Sequence, residues 1–103
     1  MDDHRLEKIR LLIAKGDWIP SQHVREDYLE TGECTLDDIE CSILTGEIVA
    51  VQKDEVGGAV DGHKYVIQGR SRCGMGFETV GKIIKMADGK RYFVITAYNY
   101  RSA

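Results

Sequence analysis

At 103 residues with 43% apolar side chains, the chain is expected to fold as one domain over 1–103, burying roughly two-thirds of its extended surface. No apolar run approaches membrane-span length, and Met1-Asp2-Asp3 is acidic where a secretory leader would be positive. Three cysteines without a CxxC pair suit a reducing cytoplasm, the expected location, better than a disulfide framework. The net charge of −3 hides an asymmetry: residues 1–61 carry fifteen Asp and Glu against six Lys and Arg, a balance of −9, while residues 62–103 stand at +6. A basic half can attract a polyanion such as RNA, although two halves of opposite sign can equally complement each other within one fold.

Asp2–Lys15 reads as an amphipathic helix, with Leu6, Ile9, Leu12 and Ile13 at helical spacing and Gly16 as its stop. Asp17-Trp18-Ile19-Pro20 reads as a connector whose Trp18 and Ile19 anchor in the core. Ser21 suits the N-cap of a shorter surface helix ending before Gly32, with a stripe of only Val24, Tyr28 and Leu29. Thr35-Leu36-Asp37-Asp38 is a capping pattern ahead of Leu36, Ile39, Ile43 and Leu44, and this third helix stops at Gly46.

From Glu47 the period changes to that of strands. Ile48–Val51 is a first strand, Asp54–His63 a flexible glycine-rich loop, Tyr65–Gln68 a second strand and Arg70–Phe77 another glycine-rich connection. Thr79–Met86 and Arg91–Asn99 flank Ala87-Asp88-Gly89-Lys90 as a β-hairpin, because Asp-Gly between apolar runs suits a tight primed turn. Along the last strand, the alternation puts Phe93, Ile95 and Ala97 on the core face. The expected architecture is α+β: three N-terminal helices packed on one face of a mostly antiparallel four-stranded sheet that ends in the C-terminal hairpin.

Few groups point to chemistry. His23, in the first turn of the second helix, is a candidate base, since a helix N-terminus disfavours the imidazolium; a surface histidine is the plainer reading. Arg70 and Arg72, in Gly69-Arg70-Ser71-Arg72-Cys73-Gly74, can bring guanidinium donors to a phosphate, although such loops are often only solvated. Lys82 and Lys85 fall on opposite strand faces, so one can face a substrate. Tyr98, Tyr100 and Arg101 close the last strand with groups able to bind and polarise a phosphodiester, although a tyrosine at a strand end is also routine packing. Cys34 and Cys41 lie seven apart and Cys73 is remote, so neither a metal site nor a cofactor is expected.

The motif order Leu6-x-x-Ile9-x-x-Leu12-Ile13-x-x-Gly16, Ser21-x-His23, Thr31-Gly32, Leu36-x-Asp38-Ile39 and Gly46-Glu47-Ile48-Val49 resembles the bacterial domain-of-unknown-function family 4258. Tyr65-Val66-Ile67-x-Gly69 and Tyr92-Phe93-Val94-Ile95-Thr96-Ala97-Tyr98 resemble that family's strands. The plan is also similar to the MqsR-like toxins of the wider RelE-like ribonuclease group. This resemblance implies a toxin–antitoxin role, a small zinc-finger antitoxin as partner, and metal-independent cleavage of mRNA. His23 matches the family's helix-two histidine, and the sheet's basic and tyrosine side chains would carry the rest. On that reading His23 or Tyr98 handles a proton, while Arg70, Arg72, Lys82 and Arg101 hold phosphate. The competing expectation is a non-catalytic interaction module that binds a protein through its sheet edge or acidic helices.

Overall fold

A computed structural model describes residues 4–100. In chain order it contains α1 (His4–Ala14), β1 (Trp18–Pro20), α2 (Gln22–Val24) running into a π-helical turn (Arg25–Leu29), and α3 (Leu36–Thr45). The strands β2 (Glu47–Lys53), β3 (His63–Arg70), β4 (Gly76–Met86) and β5 (Gly89–Asn99) follow. The architecture is α+β with a five-stranded mixed sheet in the order β1-β5-β4-β3-β2.

Sequence chemistry accounts for the helix ends. Ser21 caps α2, its Oγ accepting from the Val24 N–H, and it also donates to the Ile95 carbonyl, which pins the helix start to β5. Thr35 and Asp38 form a reciprocal capping box at α3, satisfying two donors that would otherwise lack partners. The α3 C-terminus has no basic residue of its own; Arg10 of α1 supplies the cation instead, donating to the carbonyls of Ile43 at 3.3 Å and Gly46 at 2.5 Å. Gly46 does not end α3 through a left-handed conformation. A Cβ there would lie 2.5 Å from the Gln68 carbonyl oxygen, and one on Gly69 would lie 2.0 Å from that of Ser42. These two glycines let α3 press directly onto β3.

The connector before α2 is a strand. Trp18, Ile19 and Pro20 pair in parallel with Tyr92, Phe93 and Val94, which makes five strands rather than four and the sheet mixed. Three residues ending in proline give almost no periodic signal, and proline is tolerated because β1 lies at an edge. The second glycine-rich connection is shorter than expected, since β3 runs through Arg70 and β4 begins at Gly76. At the hairpin tip no residue other than glycine has positive φ, so Ala87 and Asp88 do not form the primed turn anticipated; the positive φ falls on Gly89, at +141°.

The largest departure is in β5. Its register against β4 shifts between Val80 and Gly81: Val80 pairs with Thr96, but Gly81 pairs with Val94. Ile95 is therefore an inserted residue, and the alternation changes phase across it. The buried face carries Tyr92, Val94 and Ala97, while Phe93 and Ile95, expected in the core, are only half-buried. Tyr92, Val94 and Ala97, with Tyr65, Ile67, Phe77 and Ile83, form a single core with Leu6, Ile9 and Ile13 of α1, Val24 of α2, and Ile39 and Ile43 of α3.

The 54–62 segment, expected to be flexible, folds back on the sheet. Ala59 bridges to Ile84, and the Val60 N–H donates to the Ile83 carbonyl, so the segment continues the ladder where β3 has ended.

Candidate functional site

The sheet face away from α1 and α3 carries a polar row at one end. By register Glu47, Gln68, Glu78 and Tyr98 stand side by side on β2, β3, β4 and β5. The Tyr98 hydroxyl donates to one Glu78 oxygen at 2.5 Å, and the Gln68 amide donates to the other at 2.8 Å. The Glu78 hydrogen bond raises the Tyr98 pKa, with desolvation adding to it, so Tyr98 is a protonated phenol at neutral pH. A phenol held this way can give up a proton to a better base.

His23 stands against Tyr28, whose ring its own meets edge-on with centroids 5.2 Å apart. Nδ1 of His23 is 2.6 Å from the Asp27 carboxylate one turn along. As a neutral ring donating from Nδ1, His23 keeps Nε2 as its acceptor, the arrangement in which a carboxylate orients a histidine base. His23 lies in the first turn of the helical run formed by α2 and the π-helical segment that follows it. Asp27 is what orients its ring.

Beyond Gln68 the row opens into a cleft of about 330 Å³ lined by Thr45, Glu47, Gln68, Arg70 and Tyr100. The backbone N–H of Arg70 donates to Thr45 Oγ1, anchoring that residue, while its guanidinium has no ion-pair partner among the described residues. It is thus available to an incoming anion.

The other basic candidates are placed differently. Arg72 pairs with Asp37 at 2.8 Å, and its backbone N–H donates to Asp38, which ties the β3–β4 loop to the start of α3. Lys82 is buried on the sheet and gives its ammonium to both Asp54 oxygens, at 3.2 and 3.1 Å, and to the Gly57 carbonyl at 2.7 Å. All three protons of that ammonium are engaged, so Lys82 fastens the 54–62 segment to β4. Arg101 lies outside the described residues.

The structure sets Tyr98, Glu78 and Gln68 in one hydrogen-bonded row with Arg70 lining the cleft beyond it, places His23 against Tyr28, and engages Arg72 and Lys82 elsewhere. Sequence reasoning did not single out Asp27, Tyr28, Gln68, Glu78 or Glu47. Asp27 was detectable as the i+4 neighbour of His23. Gln68, Glu78 and Tyr98 come from three strands whose register no local signal fixes.

Among the described residues, no group of three or more His, Cys, Asp and Glu side chains is arranged to hold a metal ion. Burial, with the Asp38 and Glu33 carboxylates adding to it, pushes the Cys34 thiol up to about 11, which leaves it a poor nucleophile. No helix among the described residues is long and apolar enough to cross a membrane. Comparison with protein-family models, with curated proteins and with solved structures returns no match.

Proposed function

We propose that the chain is a toxin-like endoribonuclease, neutralised by a small antitoxin protein, that cleaves RNA by internal transfer at the His23–Tyr98–Arg70 end of the sheet. The observation that carries this reading is a phenol, Tyr98, held by Glu78 in a row that opens on a cleft lined by Arg70, whose guanidinium has no ion-pair partner among the described residues, together with a histidine oriented by Asp27. The resemblance to the family 4258 proteins and the RelE-like toxins supports the same end of the molecule.

In this mechanism His23 Nε2 takes the proton of an RNA 2′-hydroxyl, whose oxygen attacks the adjacent phosphorus. Arg70 balances the charge gathering on the non-bridging oxygens. Tyr98 protonates the departing 5′-oxygen, leaving a 2′,3′-cyclic phosphate and a free 5′-hydroxyl, and Glu78 holds the phenol in place throughout. Arg72 and Lys82 take no part, since their charges are already satisfied within the fold.

The test is cleavage of an RNA oligonucleotide by purified protein, with product ends identified by mass. His23→Ala and Tyr98→Phe should each slow cleavage by about 10²–10⁴-fold while the protein still melts cooperatively. Arg70→Ala should lower both cleavage and RNA affinity. Undiminished cleavage in folded His23→Ala and Tyr98→Phe proteins would remove this site assignment.

A second reading, a non-catalytic interaction module, is favoured by one observation. β2 is an edge strand with Val49 and Val51 half-exposed, beside a groove of about 850 Å³ that runs between it and α1. Such an edge can accept another chain as an added strand. Expression that leaves growth and RNA intact, with the protein folded, would move the conclusion to this module.

A further inference from the structure

On the opposite side of the molecule, between α1, the 54–62 segment and the hairpin, lies a cleft of about 590 Å³ that the proposed ribonuclease site does not use. Its floor is apolar: Leu11 and Leu12 from α1, Val60 from the folded-back segment and Ile83 from β4. Leu11 is 63% exposed and Val60 48%, so apolar surface at this concavity is open to solvent.

The rim is cationic. Arg5, Lys8, Lys15 and Lys90 surround the floor. Lys15 reaches Asp17 only at 4.0 Å, and Arg5 lies over the Tyr65 ring at 5.8 Å. Lys8 and Lys90 have no partner among the described residues. The one carboxylate at the cleft, Asp61, is already occupied by the Tyr65 hydroxyl and the His63 N–H. Next to it His63 has a buried Nδ1 without a hydrogen-bond partner, a polar atom left unsatisfied beside an otherwise apolar floor.

We infer that this cleft binds a small amphipathic anion, an apolar chain or ring carrying a single carboxylate or phosphate group. The volume falls within the about 300–1,000 Å³ of small-molecule sites. The floor offers burial to a hydrocarbon body, and the rim offers four cationic side chains against the single Asp61 carboxylate of the lining. A concave site of this size favours a free solute over a flat lipid surface. The inference is independent of the ribonuclease reading, because none of these residues belongs to the His23–Tyr98–Arg70 group.

The experiment is an amide-shift titration of the full chain with decanoate and with decyl phosphate, alongside decanol, inorganic phosphate and phosphatidylglycerol vesicles. Saturable shifts confined to α1, residues 59–63 and the hairpin tip, produced by decanoate or decyl phosphate and by neither control solute, are expected. Preference between these two acids identifies the head group. Lys8→Glu with Lys90→Glu should weaken binding about tenfold or more, and Leu11→Gln should weaken it without altering any charge. All three positions are exposed or rim residues, so the melting temperature is expected to hold. Equal response to decanol, binding unaffected by the charge reversals, no saturable shift, or a response to vesicles alone would each overturn the inference.

Discussion

Tyr92→Phe should make this protein more stable, against the usual direction of a core substitution. Tyr92 is fully buried, and its ring lies flat against Gly81: a Cβ there would stand 2.5 Å from Cζ and 2.6 Å from the hydroxyl oxygen. That hydroxyl has no hydrogen-bond partner among the described residues, and burial, with Tyr65 nearby adding to it, drives its pKa far above the ordinary phenol value. An unpartnered buried polar group costs about 1–3 kcal/mol. Removing one oxygen leaves a void of roughly 10–20 Å³, which at about 24 cal/mol per Å³ returns less than about 0.5 kcal/mol. The net gain is about 1 kcal/mol, a rise of about 4–8 °C in Tm for a domain of this size. Thermal melts and urea titrations of both proteins check it. The companion change, Gly81→Ala, should cost about 1–3 kcal/mol by overpacking against the ring, and less in a Tyr92→Leu background. A lower stability for Tyr92→Phe would mean that the hydroxyl has a partner, an internal water for instance, and would refute the reasoning.

Burial would raise the Asp54 carboxyl, but hydrogen bonds from Lys82 and from the Ala59 and Gly57 N–H groups, with the Lys82 charge, hold it below its ordinary value. The resulting stability is fully present above the unfolded carboxylate pKa of about 3.9 and is lost as pH falls through the lower folded value. Denaturant titrations from pH 5 to pH 2 should show that decline, and Asp54→Asn should lower neutral-pH stability while flattening the acid limb; an unchanged acid limb would count against the pair. Iodoacetamide at pH 8 should modify exposed Cys73 while sparing Cys34, whose thiol is buried and held at about 11. Peptide mapping reads the order of modification, and prompt labelling of Cys34 would contradict its placement. Thr45→Val removes the acceptor of the Arg70 N–H, so it should loosen the cleft and lower RNA affinity without unfolding the chain, measurable by fluorescence anisotropy with a labelled oligonucleotide.

Part of the candidate site was visible in the chain because it rests on local chemistry. His23 follows an N-cap serine, Tyr98 ends a strand rich in β-branched and aromatic residues, and Arg70 closes another strand. What made Arg72 and Lys82 attractive was charge alone, and charge does not report its partner. Arg72 finds Asp37 thirty-five residues away, and Lys82 finds Asp54 twenty-eight residues away. Both carboxylates lie in the acidic first half, so part of the charge asymmetry along the chain is complementarity within the fold.

The sequence by itself determined the capped starts of α2 and α3, the presence of strands after Glu47 and the pairing of the hairpin, since caps, alternation and turn residues act over a few neighbouring positions. Only the tertiary structure decided which face of β5 is buried, because the inserted Ile95 inverts the alternation and nothing nearby in sequence announces it. It also made Trp18–Pro20 a strand, through pairing with a segment more than seventy residues away. The same non-local pairing sets Gln68, Glu78 and Tyr98 in one row. Register is a property of two strands together, so a site assembled from four elements exists only once the sheet has formed.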